Sequence, residues 1–168
     1  MRRRRLLQLG LGSAVALALG GGALALVQPG LQDGRLTTAG RLVFTHAARG
    51  LLDGSLPDQP ALQAPAREAL LVRLDGVVQT LPAHAQSELS QLLAVLATGG
   101  GRRALAGLST PWPDADVQQI QAALQSMRTS SMALRQQAYQ ALHDLAAAAW
   151  FSDRGTWSTL GYPGPVEL

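Results

Sequence analysis

The stretch PAREALLVRLDGVVQTLP, residues 65–82, decides the fold class. Leu70, Leu74, Val77, Val78 and Leu81 recur at spacings of three and four, with Leu71 on the flank. That is the period of an amphipathic helix, and no period-two alternation competes with it. Pro65 suits a first helical position, where a missing N–H costs nothing. Pro82 closes the segment, because it cannot donate the amide that a further turn needs.

The same pattern extends in both directions. Leu89, Leu92, Leu93 and Leu96 share one face of a helix over residues 83–97, which Gly99-Gly100-Gly101 is expected to break. A short helical turn fits residues 102–107, and residues 109–113 read as a loop with Trp112 between two prolines. Asp114 is the expected cap of the longest helical stretch, where Val117, Ile120, Leu124 and Met127 form a stripe. After Thr129-Ser130-Ser131 the stripe resumes as Leu134, Ala138, Leu142 and Leu145, so a split or a kink is favoured over one helix of about thirty-five residues. Upstream, Thr37 or Thr38 caps a helix to about Leu52, stopped by Asp53-Gly54-Ser55-Leu56-Pro57, with Gly54 left-handed. Residues 58–64 read as a polar loop. Strand signals are almost absent. The expected fold is all-α: a small bundle of about five helices over residues 37–151, preceded by an N-terminal signal or anchor helix.

The ends differ from this body. Arg2, Arg3, Arg4 and Arg5 are followed by twenty-two uncharged residues, from Leu6 to Val27. A basic start, an apolar stretch and small residues at Ala23 and Ala25 give the order of a secretory signal. Arg3-Arg4-Arg5-Leu6-Leu7 also matches a twin-arginine export signal, and the glycine-rich, mildly hydrophobic core suits that route for folded proteins. Retention as an uncleaved anchor is the alternative, since twenty-two residues can span a bilayer. Residues 1–25 are therefore read as the signal and residues 26–36 as a linker. Residues 152–168 form an irregular tail rich in aromatic and proline residues. Five of the seven aromatic residues, Tyr139, Trp150, Phe151, Trp157 and Tyr162, fall in the last thirty positions.

Charge must be divided accordingly. All fourteen basic residues are arginine, and the formal net charge of the 168-residue chain is +3. Beyond Ala25, ten arginines face all eleven acidic residues, which leaves about one net negative charge. No basic excess remains to neutralise phosphates, so nucleic acid is not an expected partner. The absence of cysteine excludes disulfides, thiolate-held metals, covalent haem attachment and thiol catalysis. The absence of lysine excludes Schiff-base chemistry and a phosphate-loop lysine.

No catalytic set emerges. There is no Gly-x-Ser-x-Gly elbow. Gly10-x-Gly12 lacks a third glycine, since Val15 holds that place. His46, His84 and His143 are far apart, and no metal or cofactor is expected in this chain. One constellation has chemistry: Arg128, Arg135, Tyr139 and His143, at spacings of seven, four and four, on one helical face. It either binds an anionic group or a partner's carboxylate, or pairs internally with Asp144, Asp114 or Asp116. Trp157 either plugs the end of the bundle or joins Tyr162-Pro163-Gly164-Pro165 in contacting a partner. Pre-stiffened proline segments lose little entropy on docking, and aromatic residues anchor interfaces. The candidate partner interface is thus Arg128, Arg135, Tyr139, Trp150, Trp157, Tyr162, Pro163, Gly164 and Pro165.

Several of these residues carry a resemblance. The leader, Leu51-Leu52-Asp53-Gly54-Ser55-Leu56-Pro57, Ser126-Met127-Arg128-Thr129-Ser130-Ser131, Arg135-Gln136-Gln137-Ala138-Tyr139, Trp150-Phe151, and Trp157 with Gly161-Tyr162-Pro163-Gly164-Pro165 occur in order. Together they resemble the small subunits of periplasmic flavin dehydrogenases. The named relatives are subunit 3 of gluconate 2-dehydrogenase and the leader-bearing small proteins paired with glucose–methanol–choline oxidoreductases. Phe151 stands where a second tyrosine is usual. The resemblance implies a non-catalytic accessory subunit and export chaperone. It would escort a large, FAD-bearing alcohol or sugar dehydrogenase through the twin-arginine translocase and stay bound to it. Electrons would pass from that partner to a cytochrome or quinone. The implied location is the periplasm, or the inner membrane facing it. The contrasting expectation is a stand-alone periplasmic or membrane-anchored helical binding module.

Overall fold

Asp33 and Gly34 take positive φ values of 51° and 71°. That geometry joins two strands through a two-residue turn whose twist matches theirs, and glycine adopts it without a Cβ penalty. A computed structural model describes residues 28–161, and the hairpin lies at its start. β1 (Leu31–Gln32) and β2 (Arg35–Leu36) pair antiparallel, with Leu31 opposite Leu36 and Gln32 opposite Arg35. The expected linker over residues 26–36 is corrected over this stretch. Leu31 and Leu36 are buried, and their alternation points both into the core. Ser90 Oγ accepts from the Leu31 amide at 3.0 Å, and Asp75 Oδ1 accepts from the Leu36 amide at 2.7 Å.

The rest of the described chain is mostly helical. α1 spans Thr38–Leu51, with Thr37 as its cap, and Gly54 beyond it has φ 77°, as expected. α2 spans Pro60–Gln79, so it starts earlier than the expected Pro65, within the segment read as a loop. Pro60 takes the first position, and Pro65 lies inside the helix. Pro65 cannot donate to the Ala61 carbonyl, but both residues are exposed, which keeps the cost of the missing bond small. α3 spans Ala83–Ala97 and buries Leu89, Leu92, Leu93 and Leu96, the expected face.

As expected, the helix stops before the three glycines: Thr98 is extended, with ψ 152°, and a new helical turn starts after it. Thr98 Oγ1 accepts from the Gly101 amide at 3.0 Å and caps a short α4 (Gly99–Gly101). A π-helical turn, Arg102–Ala106, continues it. A Cβ on Gly101 would stand 2.1 Å from the Val95 carbonyl oxygen, so only glycine lets the chain turn back this tightly. Trp112 is fully packed, and its Nε1 donates to the Leu96 carbonyl at 2.8 Å. That bond joins the loop to the end of α3.

α5 spans Val117–Arg128, capped by Asp116 rather than the expected Asp114. Asp116 Oδ1 accepts from the Gln119 amide at 2.8 Å, and Gln119 Oε1 accepts from the Asp116 amide at 3.1 Å. Gln119 lies three positions after Asp116, which is the spacing that closes a capping box. α6 spans Ala133–Phe151, so the hydroxyl-rich turn does divide the stretch in two. α2 packs against α6, while α1 lies against α3 and α5. Phe44, Leu74, Leu93, Leu96, Ile120 and Leu142 are fully buried where these helices meet. Each such side chain contributes about 1.5–3 kcal/mol by leaving water. In the tail expected to be irregular, residues Arg154–Leu160 form a 3-10 helix. Among the described residues, no helix is long and apolar enough to cross a membrane.

Candidate functional site

The expected arginine face is built from two helices, not one. Arg128 ends α5 and Arg135 lies in the first turn of α6, with the turn Thr129–Met132 between them. The expectation of a single helical face for Arg128, Arg135, Tyr139 and His143 is therefore corrected: the split at the hydroxyl residues separates Arg128 from the other three. Arg128 Nε donates to Gln125 Oε1 at 3.0 Å. Arg135 Nε donates to the Leu105 carbonyl at 2.7 Å, and its Nη2 donates to Ser126 Oγ at 2.7 Å. Arg135 thus ties α6 to the π turn and to α5.

The internal pairing expected with an acid does not occur at these arginines. Among the described residues, no carboxylate lies within ion-pair distance of Arg128 or Arg135. Asp144 instead meets His143, with Oδ1 and Nδ1 2.9 Å apart. Tyr139 is half-buried, and its ring stacks on His143 at 5.6 Å and 25°.

A further arginine completes this end of the molecule, and sequence reading did not single it out. Arg102 is only 6% exposed, with Nε on the Leu108 carbonyl and Nη2 on the Ser109 carbonyl, both at 3.1 Å. Its neighbour Arg103 is exposed. Two long stretches here contain no acid at all, residues 89–113 and residues 117–143, and they hold Arg102, Arg103, Arg128 and Arg135. That run is the sequence signal for a local positive excess in a chain whose body is close to neutral. Met132, at the tip of the turn between Arg128 and Arg135, is 56% exposed.

The aromatic candidates divide. Trp150 is 4% exposed and belongs to the core, with Arg73 over its ring at 5.8 Å, so it is removed from the surface set. Trp157 folds back, its Nε1 donating to the Phe151 carbonyl at 2.8 Å, and Arg154 lies over its ring at 5.7 Å. Tyr162, Pro163, Gly164 and Pro165 lie outside the described residues, as do Arg3, Arg4, Leu6, Leu7, Ala23 and Ala25 of the export signal.

Two other features have chemical interest. An open, mostly apolar groove of about 340 Å³ runs between α1 and α3, lined by Gln28, Thr38, Leu42, Ala94, Ala97 and Thr98. His46 on α1 has its pKa lowered, first by burial and then by the guanidinium groups of Arg49 and Arg67, while Asp114 acts in the opposite direction. Arg49 Nη1 stands 3.5 Å from His46 Nδ1 and donates to the Ala115 carbonyl at 3.1 Å. Among the described residues, no group of histidine and acidic side chains could hold a metal ion.

No protein-family model, curated protein or solved structure matches the chain.

Proposed function

We propose that this protein is a non-catalytic accessory subunit that escorts a folded, FAD-bearing alcohol or sugar dehydrogenase through twin-arginine export and stays bound to it in the periplasm. The carrying observation is the leader, where Arg3-Arg4-Arg5-Leu6-Leu7 precedes a glycine-rich apolar stretch. Four features support the reading beside it. The body is helical, the chain is free of cysteine, four arginines (Arg102, Arg103, Arg128 and Arg135) fall in two acid-free stretches, and the tail carries Trp157 and Gly161-Tyr162-Pro163-Gly164-Pro165. A cysteine-free chain folds in a reducing compartment and enters an oxidising one without acquiring disulfides.

The experiment is deletion of this protein from a cell that makes a leaderless flavoprotein dehydrogenase beside it. Flavoprotein accumulating in the cytoplasm supports the escort role. Flavoprotein reaching the periplasm with full activity removes it. Truncation after Leu160 tests the tail separately: weaker binding to the flavoprotein is expected, and unchanged affinity removes Tyr162-Pro163-Gly164-Pro165 from the interface.

A further inference from the structure

We infer that the end of the molecule carrying Arg102, Arg103, Arg128, Met132 and Arg135 is a docking surface for an acidic segment of a partner protein. The inference deepens the escort reading, on which it rests for the partner's identity, by giving the chemistry of the partner's surface.

Charge comes first. Arg102 is buried and held through Nε and Nη2 by two neutral carbonyl oxygens, which fix the guanidinium without offsetting its charge. Arg135 is fixed in the same way by the Leu105 carbonyl and Ser126 Oγ. Arg103 and Arg128 add exposed positive charge at the π turn and at the end of α5. Among the described residues, no ion pair reaches any of the four. An approaching carboxylate therefore meets a positive field with no internal competitor, and the planar arginine fork gives it a bidentate seat.

The rest of the surface favours a protein segment over a lipid headgroup layer. Arg135 is pre-positioned by two bonds of 2.7 Å, which suits a directional contact. Hydroxyl and amide groups of Gln125, Thr129 and Ser131 lie exposed around it. Met132 is the sole large apolar side chain exposed at this turn, whereas a membrane-surface element presents a whole apolar face. A flexible methionine amid arginines has the composition of an adaptable protein interface.

The test uses the full chain and a short fluorescent peptide of alternating glutamate and leucine, followed by anisotropy. Arg128→Glu is expected to weaken binding about tenfold, and added salt to weaken the unsubstituted chain in the same direction. Both Arg128 and the control site Arg35 on the hairpin are exposed, so neither reversal disturbs the fold. Arg35→Glu is expected to leave binding unchanged. Equal losses in the two variants, or no binding by the unsubstituted chain, would overturn the inference. So would an Arg128→Glu variant that loses phosphatidylglycerol vesicles but keeps the peptide, since the surface would then be lipid-facing. Peptide binding needs no flavoprotein. Failure here leaves the export experiment standing, and failure there leaves this surface standing.

Discussion

Arginine fastens elements together at two ends of this molecule, by different chemistry. At one end, Arg41 meets Glu68 and Asp75 at 3.5 and 3.4 Å, and Arg73 meets Asp153 at 3.1 Å. At the other, Arg102 and Arg135 donate to carbonyl oxygens of Leu108, Ser109 and Leu105. Both arrangements join segments distant in sequence or cap an awkward turn. Only the first neutralises charge. An arginine that is hydrogen-bonded but not ion-paired satisfies the fold and leaves a positive potential for something outside it.

The largest expected effect breaks the carbonyl-held end at its base. Trp112→Ala removes a fully buried ring and leaves the Leu96 carbonyl without its indole donor. A loss of about 3–5 kcal/mol is expected in chemical denaturation. A loss near zero would show that this end is not built on Trp112.

The next test sets the two kinds of arginine side by side. Arg102→Met strands two carbonyl acceptors, at an expected cost of about 1–3 kcal/mol that varies little with salt. Arg41→Met removes partly exposed ion pairs, and about 0–1 kcal/mol is expected, shrinking as salt is added. Denaturation of both variants across a salt series checks the contrast. Equal costs with equal salt dependence would erase it.

The smallest effect lies at His46. Its folded pKa sits below the ordinary value of 6.5. Above that value the imidazole is neutral in both states and nothing is lost. As pH falls below it, the unfolded chain takes the proton first, so stability declines until pH passes the lower folded value. His46→Gln is expected to flatten this slope from about pH 6.5 downward, over the range between the ordinary and the lowered value. An unchanged slope would mean that another group governs it.

The helical body was legible because its apolar spacing is strong. Leu70 and Leu74, Leu89, Leu92, Leu93 and Leu96, and Ile120, Leu124 and Met127 all face the core as their periods require. The misreadings have local causes. Asp33-Gly34 is a strong hairpin signal, but flanking strands of two residues give alternation no room to appear. Gly99-Gly100-Gly101 do end the helix before them, but the close return of Gly101 over Val95, which tolerates no side chain, is a tertiary constraint invisible in propensity. Asp114 and Asp116 are equally good caps by residue type, and Gln119 alone separates them. At the candidate site, spacing placed Arg128 and Arg135 on one helical face, while the turn at Thr129–Met132 puts them on two helices. Arg102 escaped notice because a charged residue is normally read as exposed.

The escort function is tested most directly by isolating this protein from the periplasm under native conditions and recording the absorbance of whatever co-elutes. The expected result is a stoichiometric large subunit carrying oxidised flavin, lost from the periplasm when Arg3 and Arg4 of this chain are both replaced by lysine. A monomer without flavin, or a flavoprotein whose export ignores those two arginines, would contradict it.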